Sequence, residues 1–316
     1  MDDFGEPLPE RSGFTCVGIS KDGLAAISSW SGDMFIVNPQ NLDQHKRSCV
    51  DDHLISSAWA GDIALFGSTS GCIYTSDGRS IQAHESGVSS IVDFRSPFRF
   101  YTTSWDGTLR MWDLRDKSQV HSTQLSQKIL SACAVNRHSV VCFGSHGKTF
   151  IFDDRRPEQT EVRVSSLQCQ IRCSAPAHRS WACGSIDGRI AVEFLGDKGA
   201  QAQRFAFSGH RKVIEDKIVV YPINSLSFKP DSPILASGGS DGCICLWDTK
   251  QKQKMAEISN TSNVPVASLG FTPDGEYLVV CYADIGDEPN KEPSPEKLMV
   301  YQTSTLLGER AEPSEL

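Results

Sequence analysis

The chain has 316 residues, 39% of them apolar, and a formal charge of −8. That is enough chain for one large domain with a sizeable core. No apolar run approaches the ~20 residues of a membrane span, the acidic balance argues against a general nucleic-acid coat, and the acidic start, Met1 to Pro7, gives no reason to expect a secretory signal.

From the N-terminus onward, a tight turn followed by a strand recurs seven times. It reads Ser31-Gly32-Asp33-Met34-Phe35-Ile36-Val37, then Ser70-Gly71-Cys72-Ile73-Tyr74, then Asp106-Gly107-Thr108-Leu109-Arg110-Met111-Trp112-Asp113. It returns at His146-Gly147, Asp187-Gly188 and Asp241-Gly242, the last leading into Cys243-Ile244-Cys245-Leu246-Trp247-Asp248, and degrades at Pro295-Glu296-Lys297-Leu298-Met299-Val300-Tyr301. From Gly32 the steps are 39, 36, 40, 41 and 54 residues, with 54 more to Glu296. A period of roughly 40 with Trp-Asp at the strand end predicts an all-β, seven-bladed WD-repeat β-propeller.

Each repeat should give four antiparallel strands. The third predicts strands at Val88 to Phe94, Arg99 to Ser104 and Thr108 to Trp112; the sixth at Ile223 to Phe228 and Ile234 to Gly239. Two repeats are overlong, one through an insertion near His210 to Val220, the other through a polar loop from Asp284 to Glu296. The expected organisation is a flexible N-terminus over 1–12, a single propeller over 13–308 and a flexible tail over 309–316. Strands from both ends of the chain should share the last blade.

Chemistry-bearing motifs are sparse. The eleven cysteines fall singly on strands with no CxxC pair, which reads as reduced, buried thiols in a cytosolic or nuclear protein. Gly147-Lys148-Thr149 ends like a P-loop, but Cys142 stands where the first glycine belongs, and the segment precedes no helix. There is no nucleophile elbow, zincin motif or spaced Cys/His set. Asp284 and Asp287 lack the ligand spacing of a calcium loop. No cofactor, metal or catalytic residue is expected.

Trp112 and Trp247 occupy the WD position and read as structural; Trp59 reads as core. Trp30 and Trp105 each follow a strand and precede a tight turn. That places them at a rim of the ring near the central channel, where exposed tryptophan serves as an interface anchor. Arg189 follows the Asp187-Gly188 turn where most repeats carry an uncharged residue, and Arg211 follows His210 at the start of the insertion. Either can fork a carboxylate or phosphate, or form a surface salt bridge.

Phe205-Ala206-Phe207-Ser208-Gly209-His210-Arg211 with Tyr221-Pro222-Ile223-Asn224-Ser225-Leu226-Ser227-Phe228 resembles the spindle-checkpoint propeller of the BUB (budding uninhibited by benzimidazoles) family. So do Ser165 to Cys173, Gly188 to Leu195, Gly238 to Gly242, and Val266 to Phe271 with Asp274-Gly275. A sister family, the RNA-export propeller of nuclear pores, shares much of the pattern; the Val-Glu-Phe of blade five favours the checkpoint branch. The resemblance implies a non-enzymatic adaptor in the nucleus, at the kinetochore in mitosis. Its implied partners are the GLEBS motif of a checkpoint kinase or pseudokinase and phosphothreonine Met-Glu-Leu-Thr repeats of a phosphorylated kinetochore scaffold; neither membrane nor nucleic acid is among them. Carried onto this chain, Trp30, Trp105 and Arg189 would bind the GLEBS segment, and Arg211 the phosphate. The family's Cys-His-Arg is Gly209-His210-Arg211 here, and a second basic residue expected near Pro233 is absent. Lys212 or Lys229 would then complete the phosphate site. The competing readings are an RNA-export factor and, from Trp112-Asp113-Leu114-Arg115 and Phe152-Asp153-Asp154-Arg155, a substrate receptor of a cullin ubiquitin ligase.

Overall fold

The computed structural model describes residues 13–41, 44–93, 98–116, 118–259, 264–283 and 296–308. They form seven antiparallel sheets arranged as the blades of a ring, the expected propeller. Six blades have four strands in chain order; the seventh has three among the described residues, Val266–Phe271, Tyr277–Tyr282 and Lys297–Gln302. The closing strand expected from the N-terminus would fall in 1–12, outside the described residues, as do Asp284 and Asp287. The expected insertion is a separate β-hairpin, Arg211–Ile214 paired with Lys217–Val220, standing between blades five and six.

The turn glycines explain the period. Gly32, Gly71, Gly107, Gly147, Gly188 and Gly242 all have φ between 71° and 88°, the region tight hairpins need and side chains avoid. Gly71 is doubly required, because a Cβ there would stand 2.2 Å from the carbonyl oxygen of His84.

Alternation along the strands puts apolar residues on both faces of each blade, so every blade is packed from both sides. Seven apolar clusters result, one for each junction between neighbouring blades. Blade seven meets blade one through Phe14, Val17, Ile27 and Phe35 against Ala267, Val279 and Cys281. Trp59 lies in one of these junctions, as its sequence suggests.

The innermost strand of each blade faces the channel. These strands are Phe14–Ile19, Leu54–Ala60, Val88–Asp93, Ile129–Ala134, Ile171–Ala177, Ile223–Phe228 and Val266–Phe271. They belong to different sheets, so hydroxyls join them. Ser56 Oγ donates to the Val88 carbonyl (2.8 Å), Ser90 Oγ accepts from Ala132 N–H (3.1 Å), and Ser131 and Ser174 Oγ meet at 2.8 Å. Ser225 Oγ accepts from Leu269 N–H and Ser268 Oγ from Val17 N–H, both at 3.0 Å.

Blades three and six each carry a buried polar chain ending on the WD tryptophan. In blade six, Trp247 Nε1 donates to Ser237 Oγ (2.9 Å), Ser237 meets His210 Nε2 (2.9 Å), and His210 Nδ1 meets Asp241 (2.8 Å). Blade three repeats it with Trp112, Thr102, His84 and Asp106. Burial drives the His84 pKa down to about 4, against the opposing pull of Asp106. Between about 6.5 and about 4, therefore, the unfolded chain binds a proton that the folded ring refuses. Stability should fall as pH drops through that window, by on the order of 3 kcal/mol. Urea unfolding of the wild type and of the non-titrating His84→Asn at pH 7 and pH 4.5 checks this, since the variant should lose that part of the slope.

Candidate functional site

One end of the ring gathers equivalent residues from all seven blades. The residue after the second strand of each blade donates its N–H to the residue just before the innermost strand: Trp30 to Gly13, Thr69 to His53, Trp105 to Gly87, Ser145 to Lys128, Ile186 to Gln170, Ser240 to Pro222 and Ala283 to Pro265. The bonds run from 2.7 to 3.2 Å. Trp30 and Trp105 thus sit at corresponding places on blades one and three. Ile186, exposed on blade five, is the third large apolar residue in the set, one that sequence reasoning passed over for want of a tryptophan.

Trp30 is 50% exposed and stacks flat on His53, with ring centroids 4.8 Å apart and planes 6° from parallel. Trp105 is half-buried over Gly87, where a Cβ would stand 2.6 Å from the indole. Both rings border the central channel, a cavity of about 700 Å³ lined from every blade.

The channel mouth has a second repeated feature. Each innermost strand carries a bulge near its start, placing Thr15, Ile55, Ser89, Leu130, Arg172, Asn224 and Ala267 outside the regular register. All seven line the channel. A bulge re-aims its side chain, and here seven of them form one ring.

Arg189 lies at the same end of the ring, but its fork is engaged inside the protein. Its Nε donates to Asp187 (2.6 Å) and its Nη2 to the Leu167 carbonyl (2.7 Å). Burial raises the pKa of Asp187, yet the bonds from Arg189 and Ser185 outweigh it, and the carboxyl sits below its ordinary range.

The three residues assigned to phosphate are not brought together. Arg211 is exposed and opens the hairpin opposite Val220. Lys212 follows it directly in the strand, so it points to the other face. Its ammonium donates to the Asp241 carbonyl (3.1 Å) and lies 5.7 Å from the centre of the Tyr221 ring. Lys229 follows the far end of the strand Ile223–Phe228, and its stem packs near Gly275 in the turn of the next blade. Six residues of strand, roughly 20 Å, carry it toward the opposite side of the ring. The chain reverses direction between Arg211 and Lys229, which is why closeness in sequence misleads. Gly147-Lys148-Thr149 is a turn entering a strand, not a phosphate loop. Arg115 and Arg155 each fold back on the aspartate two residues earlier, Asp113 and Asp153, at 2.5 Å. Among the described residues no cluster of His, Cys, Asp and Glu suits a metal ion, and no helix is long and apolar enough to cross a membrane.

Comparison with known proteins bears on the family. The model of the WD domain, G-beta repeat, matches residues 70–113 and 203–248. The mitotic checkpoint protein bub3 of Dictyostelium discoideum is 26% identical over 312 residues, covering 93% of this chain and 92% of its own length. The mitotic checkpoint protein BUB3.1 of Arabidopsis thaliana is 34% identical over 215 residues, covering 65% of this chain and 62% of that protein. A poly(A)+ RNA export protein of Schizosaccharomyces pombe is 25% identical, with 87% and 83% covered. The solved structure of U3-55K superposes with a TM-score of 0.79 over 92% of this chain and 96% of that one at 16% identity, a likeness of fold alone. By its repeats and its seven blades the chain is a WD-repeat β-propeller, and it is similar over most of its length to Bub3 mitotic checkpoint proteins and also to a poly(A)+ RNA export protein.

Proposed function

We propose that this protein is an adaptor of the spindle assembly checkpoint, nuclear and at the kinetochore in mitosis. It holds the GLEBS segment of a checkpoint kinase or pseudokinase on the face bearing Trp30 and Trp105, and meets a phosphothreonine Met-Glu-Leu-Thr repeat of a kinetochore scaffold through Arg211. The fold and the relatives point to a scaffold rather than a catalyst.

The observation that carries the reading is the pair of tryptophans at the channel mouth. An indole half out of water is a large apolar surface left uncovered, and aromatic anchors of this kind dominate peptide and protein interfaces. Arg211 adds a fixed positive charge on the exposed hairpin, suited to a phosphate carrying about −1.5 to −2 at neutral pH. With Lys212 held by Asp241 and Lys229 elsewhere, Arg211 alone carries that role. Arg189 contributes to the GLEBS site by exchanging Asp187 for a glutamate of the segment.

Calorimetric titration of a GLEBS peptide, alone and with a phosphothreonine Met-Glu-Leu-Thr peptide, tests this on wild type and Arg211→Ala. The expected result is GLEBS binding by both proteins, and phosphate-dependent capture of the second peptide by wild type only. Arg211→Ala should melt at nearly the same temperature, since the side chain is exposed. GLEBS binding without phosphopeptide capture, together with salt-sensitive RNA binding, would favour the RNA-export reading that the S. pombe relative supports.

A further inference from the structure

Four of the eleven large apolar side chains that stand exposed among the described residues belong to the hairpin Arg211–Ile214/Lys217–Val220: Val213, Ile214, Ile218 and Val220. Val213 is 74% and Ile218 68% exposed. The pairing sets Arg211 opposite Val220 and Val213 opposite Ile218. Cross-strand partners share a face, and alternate residues return to it. Val213, Ile218 and Val220 therefore form one apolar patch. It lies on the face away from Lys212, whose ammonium is held at the Asp241 carbonyl (3.1 Å).

The ribbon is also open along an edge. Among the described residues it is a sheet of two strands, so the outer edge of Lys217–Val220 has no strand beside it. Open edges are ordinarily blunted by proline, by a bulge or by charge. Here there is no proline, the register runs without a bulge, and the one charge, Lys217, stands at the turn. Ile218, Val219 and Val220 are three β-branched residues in succession, the composition that suits a strand with neighbours. The outer strand of blade four, Glu161–Val164, shows the contrast: its Val162 is flanked by Glu161 and Arg163, which pair with each other at 2.6 Å. A ribbon of two strands is marginal by itself, and a third strand beside an apolar face stabilises it.

We infer that the hairpin is an acceptor for a strand. An extended segment of a partner protein adds along Lys217–Val220, pairs its backbone with that edge, and lays apolar side chains at alternate positions beside Ile218 and Val220. Val213, behind Ile218 in the same patch, deepens the apolar contact. The size of the surface selects this occupant. Four residues of two strands present a face of roughly 13 Å by 10 Å, on the order of 130 Å². A dimer of this chain would need about 800 Å² from each partner. An added strand draws its affinity from backbone hydrogen bonds and asks only for side-chain sites at every second residue. The hairpin runs between His210 and Pro222, whose carbonyls accept from Tyr221 and Ser240, so it rises from the end of the ring that carries Trp30 and Trp105 while standing clear of the channel. The inference is independent of the checkpoint role proposed above.

The test pans a random-peptide display library on the full wild-type chain after depletion on Ile218→Thr/Val220→Thr. Threonine keeps the branched shape and strand preference and removes the apolar contact. Both side chains are exposed, so the variant should melt with the wild type. Peptides that survive depletion should carry β-branched or aromatic residues at alternate positions. Made synthetically, they should bind wild type at least about 10-fold more tightly than the variant. N-methylation then separates strand addition from contact with the face alone. Methyl groups on one alternate set of peptide nitrogens should abolish binding, and on the other set should leave it nearly intact, because only every second N–H points at the hairpin. That comparison uses the wild type alone and decides the matter even where the variant is less stable. No surviving peptides, or binding indifferent to N-methylation at both sets, would overturn the inference. So would sedimentation of the wild type as a dimer that the variant dissociates, which would give the patch to a second copy of the chain.

Discussion

Trp247→Ala is expected to cost about 3–5 kcal/mol of folding stability. The indole is 7% exposed and sits in the junction between blades five and six, where it packs on Phe207 with ring centroids 4.8 Å apart. Truncation removes that apolar area and leaves a void the two blades can only partly close. It also takes the donor from Ser237 Oγ, which holds His210 and through it Asp241. Trp247→Phe keeps most of the ring and loses the N–H bond, so its cost should be nearer 1 kcal/mol plus a small packing term. Urea unfolding of both variants, followed by circular dichroism, gives the comparison. A loss under about 1 kcal/mol for the alanine variant would mean that the buried chain behind Trp247 does not hold the junction.

Trp30→Ala and Trp105→Ala should each weaken GLEBS-peptide binding by roughly 30-fold or more, the 2 kcal/mol that marks an interface hot spot. The two changes should differ in their effect on the free protein. Trp30 is half in water and rests on His53, so its loss should barely move the melting temperature. Trp105 lies over Gly87, and removing it uncovers that backbone, so a modest destabilisation should accompany the loss of binding. Titration calorimetry with parallel melts separates the two. Binding unchanged in both variants would remove the central support for the proposed function.

The fold was legible because its signals are local and repeated. The strands read from the third and sixth repeats agree with the structure to within a residue: Val88–Asp93, Arg99–Ser104, Thr108–Asp113, Ile223–Phe228 and Ile234–Gly239. A positive-φ glycine in a tight turn leading into a strand needs no distant partner to be recognised. The rim position of Trp30 and Trp105 followed from the same register.

The rest was hidden for physical reasons. The hairpin Arg211–Ile214/Lys217–Val220 turns on Glu215 and Asp216 at φ 48° and 60°, with no glycine to mark it. The bulge at Arg172 is likewise unmarked, since Gln170-Ile171-Arg172-Cys173 reads as plain alternation. Its meaning lies in a ring of seven residues spread from Thr15 to Ala267. The pairing of Arg189 with Asp187 was available two residues apart, but sequence does not show whether such neighbours meet. His84 and His210 are tied to partners 18 to 31 residues away, beyond the reach of a local motif.

The hydroxyl links between innermost strands also set the order in which the ring can close. Most join residues 32 to 44 apart in the chain, such as Ser56 with Val88 and Ser225 with Leu269, whereas Val17 with Ser268 spans 251. The entropy of closing that longest loop exceeds the others by about 1.6 kcal/mol, from the three-halves power dependence on length. Blades two to seven can therefore assemble each on its predecessor as a growing arc. The junction of Phe14–Ile19 with Val266–Phe271 is then expected to be the last to form, so that closing the ring is a step separate from building its blades.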